Sequence, residues 1–231
     1  MTARPLHLVL LGAGKTGSLI AEVAAERGHR TTVLTEAENA KGAWLTPDNL
    51  RGVDAVIDFT TPDAVLENIA RCVAAKAPMV VGTTGWYGEL ERIKQEVERA
   101  GTALVFGANF SYGVNLFFQI ARAATPALQQ GYTARITETH HVHKKDAPSG
   151  TAVALQKVVE QASVVRAEIA SVREGDVMGI HTLEIESGGD RMVLTHEVKS
   201  RRTFAAGAVL AAEWIVGKTG FHDFKDIFNQ L

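Results

Sequence analysis

Leu6-His7-Leu8-Val9-Leu10-Leu11-Gly12-Ala13-Gly14-Lys15-Thr16-Gly17 decides the fold. Its first six residues form an apolar run broken only by His7, the length of a strand buried on both faces. Gly12-x-Gly14-x-x-Gly17 follows. A segment with Ile20, Val23 and Ala24 on one side then predicts a helix ending near Gly28. Strand, glycine turn and helix in that order are the setting a dinucleotide-binding loop requires. Gly12 permits the tight turn, Gly14 lets backbone approach a pyrophosphate, and Gly17 lets the helix pack closely on the strand. Ala13, Lys15 and Thr16 complete the candidate loop, whose free amides face the phosphates. Lys15 does not make it a P-loop, because the Gly-Lys-Ser/Thr spacing is absent.

Downstream the same rhythm continues. Strands are predicted at Thr31–Thr35, Val53–Phe59, Pro78–Val81 and Thr102–Phe106. Helices are predicted from Pro62 to about Lys76 and over Glu89–Ala100. Strands alternating with helices at this spacing imply a doubly wound, Rossmann-type parallel sheet. After about Asn109 the pattern changes. Asn115–Leu128 and Ser149–Ala162 read as helices and Thr133–His143 as a strand. Ile180–Glu186 and Arg191–Lys199 flank Ser187-Gly188-Gly189-Asp190, a hairpin signal. Phe204–Val216 reads as a helix and Asp223–Phe228 as a short last one. The expected fold is α/β: residues 1–109 with 203–231 form the parallel-sheet domain. Residues 110–202 form an α+β domain with a mostly antiparallel sheet, whose half-polar face suits another subunit.

Composition excludes several classes. The chain has 231 residues, is 46% hydrophobic and carries a net charge of −2, with no basic stripe for nucleic acid. No apolar run approaches the roughly 18 residues that would span a membrane. Met1–Pro5 passes directly into a strand without a signal-peptide layout, and Cys72 is the only cysteine. A cytoplasmic protein without disulfides is expected. Cys72 reads as a small buried hydrophobe.

The second strand ends at Thr35-Glu36. An acid there accepts hydrogen bonds from an adenosine ribose and repels a 2′-phosphate. No arginine follows it, and Lys41 is the nearest downstream cation, so NADH is expected to serve at least as readily as NADPH. A solvated surface glutamate is the alternative for Glu36. Gly82-Thr83-Thr84 and Gly107-Ala108-Asn109-Phe110 follow predicted strand ends, where open parallel sheets bind ligands. Asp58 either caps the next helix or touches cofactor.

Glu138-Thr139-His140-His141-Val142-His143-Lys144-Lys145-Asp146-Ala147-Pro148-Ser149-Gly150-Thr151-Ala152 concentrates the chemistry of the second half. Three imidazoles can exchange protons near neutrality, and crowding by Lys144 and Lys145 is expected to lower their pKa values. If the strand still runs at His140, His140 and His141 point to opposite sides. Asp146 either orients Lys144 or caps the turn. Ser149, Gly150 and Thr151 begin a helix whose amides and hydroxyls suit a carboxylate. Zinc is the competing reading. It lacks a nearby cysteine and a glutamate at metalloprotease spacing, so no metal is expected.

These residues make the chain resemble the 4-hydroxy-tetrahydrodipicolinate reductases, or dihydrodipicolinate reductases, of bacterial lysine biosynthesis. The likeness extends to Gly82–Gly85, to Asn109-Phe110-Ser111 with Gly113-Val114-Asn115, to Ser200-Arg201 with Phe204, Gly207 and Ala208, and to Phe221–Ile227. The resemblance implies hydride transfer from NADH or NADPH to a cyclic imine dicarboxylate. It implies His140 as proton donor/acceptor and Lys144 as proton donor, with His141, Ser149, Gly150 and Thr151 on the substrate. It also implies a homotetramer built through the second domain's sheet. The first loop departs from the common Gly-x-x-Gly-Arg-Met-Gly pattern. The chain is also shorter than many members, the missing residues falling at 36–52 and 163–179. Rival readings are another NAD(P)-dependent amino- or imino-acid dehydrogenase and a non-catalytic dinucleotide sensor.

Overall fold

The computed structural model describes residues 4–162 and 166–231; part of the shortened 163–179 stretch therefore lies outside the described residues. Two compact units divide the chain. One runs up to Tyr112 and resumes at Arg201, and the other is Gly113–Ser200.

The first unit is built on a six-stranded parallel sheet. Its strands are β1 (His7–Leu11), β2 (Arg30–Leu34), β3 (Ala55–Asp58), β4 (Met79–Val81), β5 (Ala103–Phe106) and β10 (Gly220–Asp223), in the order β10-β5-β4-β3-β1-β2. Side-chain alternation divides the inner strands β1, β3, β4 and β5 between two cores. Leu8, Leu10, Ile57, Val80 and Val105 face helices α1 (Lys15–Glu26) and α6 (Arg202–Ile215). Val9, Leu11, Val56, Met79 and Leu104 face α2 (Pro62–Ala74) and α3 (Leu90–Ala100), where Cys72 is buried. Apolar residues on both sides explain why these strands read as unbroken hydrophobic runs. The strand order reverses at β1, with β2 on one side and β3 on the other. The crevice at the carboxyl ends of β1 and β3 is therefore a topological switch point.

The second unit holds a four-stranded sheet, β7-β6-β8-β9, of β6 (Thr133–His140), β7 (Glu168–Arg173), β8 (Ile180–Glu186) and β9 (Arg191–Glu197). β6 pairs with β7 in parallel and with β8 antiparallel, and β8 pairs antiparallel with β9. Ile136, Leu183 and Ile185 project from one face onto Ala152, Leu155 and Val159 of α5 (Gly150–Ala162) and Phe117 of α4 (Tyr112–Ala124). Chain order is completed by α7 (Phe224–Ile227) and a 3-10 helix, Phe228–Gln230.

Several expectations require correction. The strand expected over Thr133–His143 stops at His140. Its pairing with β8 ends at Thr139 and with β7 at His140, so residues beyond have no ladder to join. The helix expected to Leu128 ends at Ala124 and gives way to a 3-10 helix, Thr125–Gln130, because Pro126 lacks the N–H that an α-helical turn needs. β7 and β10 were not anticipated. Glu168–Arg173 has little period-2 contrast, and Gly220–Asp223 is short and begins with glycine.

Candidate active site

The switch-point crevice carries the glycine loop. Gly12 adopts φ +98° and donates its amide to the Leu34 carbonyl at 3.1 Å. A Cβ at Gly12 would lie 2.4 Å from the Phe59 carbonyl oxygen, and one at Gly17 only 1.8 Å from that of Gly12. Gly12 is thus demanded by its positive φ and by the Phe59 backbone that follows β3, and Gly17 by the close approach of α1 to the turn. Gly14 caps α1 without a side-chain acceptor, and a Cβ there would meet nothing within 4 Å. The opening beside Gly14 and the helix-start amides form an anion cradle.

Every predicted dinucleotide residue lines this crevice. A cleft of about 1030 Å³ runs along Gly12, Ala13, Gly14 and Glu36. A neighbouring hollow of about 380 Å³ is lined by Lys15, Thr16, Gly17, Gly82, Thr83 and Thr84. A third, about 230 Å³, reaches Gly107, Ala108, Asn109 and Phe110 and shares Thr16 and Gly82 with the second. These residues play different parts. Glu36 is exposed in the cleft, whereas Glu38 is spent on the Thr35 amide and hydroxyl at 2.8 and 2.7 Å. Phe110 contributes a wall only from behind: its ring is buried against Phe224, centroids 4.6 Å apart. Sequence reasoning missed Arg71 in the large cleft and Arg201 in the second hollow. Arg71 comes from α2, where its guanidinium pairs with Glu67 at 2.8 Å; the sequence gave no sign that this face lines the cleft.

Asp58 neither caps α2 nor opens to the cleft. It is fully buried, and Oδ1 accepts from the Thr60 amide (3.0 Å), the Thr60 hydroxyl (2.7 Å) and the Thr83 hydroxyl (2.7 Å). Oδ2 accepts from Asn68 at 2.8 Å, and Asn68 Oδ1 accepts from Asn39 at 3.0 Å. One carboxylate therefore fixes three stretches of the crevice wall.

The second unit assembles the other chemistry. Glu138 and His140 lie two residues apart on β6, so both side chains project from its buried face. Glu138 is inaccessible, and His140 is 7% exposed. His140 Nδ1 donates to Glu138 Oε2. Arg173, opposite His140 in the β6–β7 register, forks onto the same carboxylate at 3.1 and 3.0 Å and also reaches the Asp146 carbonyl at 2.6 Å. The Ser149 amide adds a bond of 3.3 Å to Glu138 Oε1. Ser149 is itself buried. Its hydroxyl accepts from the Ala152 amide at 3.2 Å, capping α5, and lies 3.0 Å from His181 Nε2. The hydroxyl expected to face substrate is thus engaged inside the protein, while Gly150 is exposed and Thr151 half-buried at the helix start. Lys144 pairs with Asp146 at 2.8 Å, as one of the two readings of Asp146 required. His141 is half-buried and His143 exposed.

Electrostatics follow from this packing. Burial acts to raise the Glu138 pKa, but hydrogen bonds from Arg173, Ser171 and His140 outweigh it and hold the carboxyl down at about 2. Burial lowers the His140 pKa, with Lys144 and Arg173 adding to the effect and Glu138 opposing it. Lysine crowding is therefore secondary to desolvation. His181, edge-on to His140 with centroids 5.1 Å apart, is pushed down to about 4 by burial first and then by His140. Among the described residues no three His, Cys, Asp or Glu side chains are grouped to hold a metal ion, and no helix is long and apolar enough to cross a membrane.

The roles of Glu138, Arg173 and His181 escaped the sequence reading. For Glu138 a signal existed: it alternates with Ile136 and His140 on a face that must be interior. Arg173 had none, since its strand was not recognised.

Comparison with known proteins adds the following. The family model described as dihydrodipicolinate reductase, N-terminus, matches residues 6–110, and that described as dihydrodipicolinate reductase, C-terminus, matches residues 113–228. A 4-hydroxy-tetrahydrodipicolinate reductase of Christiangramia forsetii is 35% identical over 240 residues, covering 98% of this chain and 99% of the relative. One from Neisseria meningitidis serogroup B is 35% identical over 266 residues, covering 97% and 98%. In fold, the chain is similar to a dipicolinate-bound dihydrodipicolinate reductase from Paenisporosarcina sp. TG-14. The TM-score is 0.79 at 20% identity, over 98% of this chain and 100% of that one.

Proposed function

Because this chain belongs to the dihydrodipicolinate reductase family, we infer that it is an NAD(P)H-dependent reductase of 4-hydroxy-tetrahydrodipicolinate, yielding tetrahydrodipicolinate in the diaminopimelate route to lysine. The observation that carries this reading is a buried imidazole, His140, tied to Glu138, in the cluster that also holds Lys144 and the start of α5. A doubly negative ring substrate needs cationic and N–H donors for its carboxylates. Lys144, His141 and the amides of Gly150 and Thr151 supply them, with Ser149 capping the helix behind.

The nicotinamide cofactor supplies a hydride. Hydride addition to a conjugated imine leaves negative charge on the substrate. Lys144 lowers the energy of that charge and, with His140, delivers the proton that quenches it. Gly12–Gly17 receive the pyrophosphate, Glu36 the adenosine ribose, and Gly82–Thr84 with Gly107–Phe110 the nicotinamide end. The open space at Gly14 and the helix-start amides fit that group. Glu36 favours the ribose diol of NADH; Lys41 lies in the same cleft, and Arg71 there is already paired with Glu67 at 2.8 Å. NADH therefore serves at least as readily as NADPH. Apolar side chains such as Val172 and Val193 lie exposed on strands of the second sheet, which suits a homotetramer.

Steady-state oxidation of NADH and NADPH with freshly generated 4-hydroxy-tetrahydrodipicolinate tests the assignment. Turnover with that product, and none with open-chain amino or imino acids, is the expected result. The reverse pattern would mark another amino-acid dehydrogenase. Dinucleotide binding without turnover would mark a sensor. A preference for NADPH of tenfold or more, about 1.4 kcal/mol, would contradict the part given to Glu36.

A further inference from the structure

His140 makes one hydrogen bond through Nδ1, to a carboxylate that three other groups hold in place. Arg173 grips both oxygens of Glu138, the Ser149 amide bonds Oε1, and Ser171 adds a further bond. On its other side the imidazole is given room. A Cβ at Gly179 would lie 2.9 Å from His140 Nε2 and 3.2 Å from its Cδ2. A carboxylate accepts and cannot donate, so the Nδ1 of a ring bonded to it carries hydrogen, and Nε2 is the atom left to take and give a proton.

We propose that Glu138, braced by Arg173, is the positioning residue of this site: it fixes His140 in the Nδ1–H tautomer and presents Nε2 as the proton-transferring atom. The proposal rests on the assignment of His140 as proton donor. Several charged or titratable groups face His140 from the surrounding elements. Glu138 lies on β6, Lys144 on the turn after it, Arg173 on β7 and His181 on β8. Of these only Glu138 favours the imidazolium; Lys144 and Arg173 oppose it. The two members of the brace should therefore act on His140 in opposite senses.

The test compares Glu138→Gln and Arg173→Met in the pH profile of kcat. If protonated His140 is required, activity falls as pH rises through its pKa. Loss of the Glu138 charge moves that limb to lower pH, and loss of Arg173 moves it to higher pH. Above the pKa, each unit of acid shift lowers the protonated fraction, and kcat with it, about tenfold. KM for the substrate should stay within about threefold in Glu138→Gln, since that residue touches no substrate. Limbs that move together, or do not move, would overturn the proposal, because a merely structural role predicts no opposition. Should Glu138→Gln fail to fold, ¹⁵N NMR of His140 in the unaltered protein decides. The neutral ring is expected with hydrogen on Nδ1, and an Nε2–H tautomer would overturn the proposal. The NMR result does not depend on turnover. Full activity in His140→Gln with the Nδ1–H tautomer intact would therefore sink the proton-donor assignment instead.

Discussion

Replacing Asp58 by asparagine changes one atom's hydrogen-bonding sense at a fully buried junction. Oδ1 faces three donors and Oδ2 faces one, Asn68 Nδ2. If the new side chain keeps its oxygen towards Thr60 and Thr83, its amide nitrogen meets the Asn68 amide nitrogen at the present 2.8 Å. Asn68 can turn over only if Asn39 does too, because Asn39 Nδ2 donates to Asn68 Oδ1. Turning Asn39 then removes the acceptor of the Trp44 amide, now 3.3 Å from Asn39 Oδ1. Every route leaves a donor unmatched, at about 1–3 kcal/mol, and weakens three charge-assisted bonds; the total is about 3 kcal/mol. Urea unfolding of the variant should show that loss, with a Tm lower by about 6–12 °C. The swap Asp58→Asn with Asn68→Asp restores complementarity throughout. The introduced amide donates to the introduced carboxylate, and that carboxylate still accepts from Asn39. The swap should regain about 1–2 kcal/mol over the single variant. A single variant within about 0.5 kcal/mol of the original, or a swap no better than it, would refute this reading of the network.

Two glycines of the first loop should respond differently. Gly17→Ala forces a Cβ against the Gly12 carbonyl and should cost stability, about 1–3 kcal/mol or more, together with NADH affinity. Gly14→Ala meets no protein atom, so it should lower NADH affinity with unchanged Tm; calorimetry of both variants separates the two effects. The pH dependence of the second unit's stability has a definite sign. His181 has a folded pKa near 4, against 6.5 unfolded, so between those values the unfolded chain binds a proton that the folded one refuses. Its contribution is intact above about 6.5 and lost towards 4, by up to about 3 kcal/mol, with His140 acting in the same direction. Glu138, whose pKa is held near 2 against an ordinary 4.5, keeps its stabilising contribution above about 4.5 and loses it as the pH falls from there towards 2. Urea midpoints that are flat or rise from pH 7 to 4.5 would contradict this.

Most of the first unit was legible because β1, β3, β4 and β5 are buried on two faces, and Gly12 and Gly17 have a steric cause that the structure locates atom by atom. β10 was illegible because four residues beginning at Gly220 carry no alternation; only the open edge beside β5 makes them a strand. In the second unit, the His140–Thr151 segment announced a cluster of imidazole and ammonium groups ahead of a helix start. What it did not announce was how that chemistry is held. Ser149 looked like a substrate ligand because hydroxyls at helix starts are free in sequence; in the fold, Ala152 and His181 claim it. Arg173 became meaningful only when β7 placed it beside His140 across a parallel ladder. Local pattern shows which groups exist, while long-range pairing decides which of them meet.

Substrate turnover and dinucleotide binding measured side by side on His140→Gln and Lys144→Met test the central claim most directly. Both variants should bind NADH as the unaltered protein does, yet reduce 4-hydroxy-tetrahydrodipicolinate at least about a hundredfold more slowly, the scale of a lost proton-transfer group. Undiminished turnover in both would mean that the cluster on the second unit does not deliver the proton.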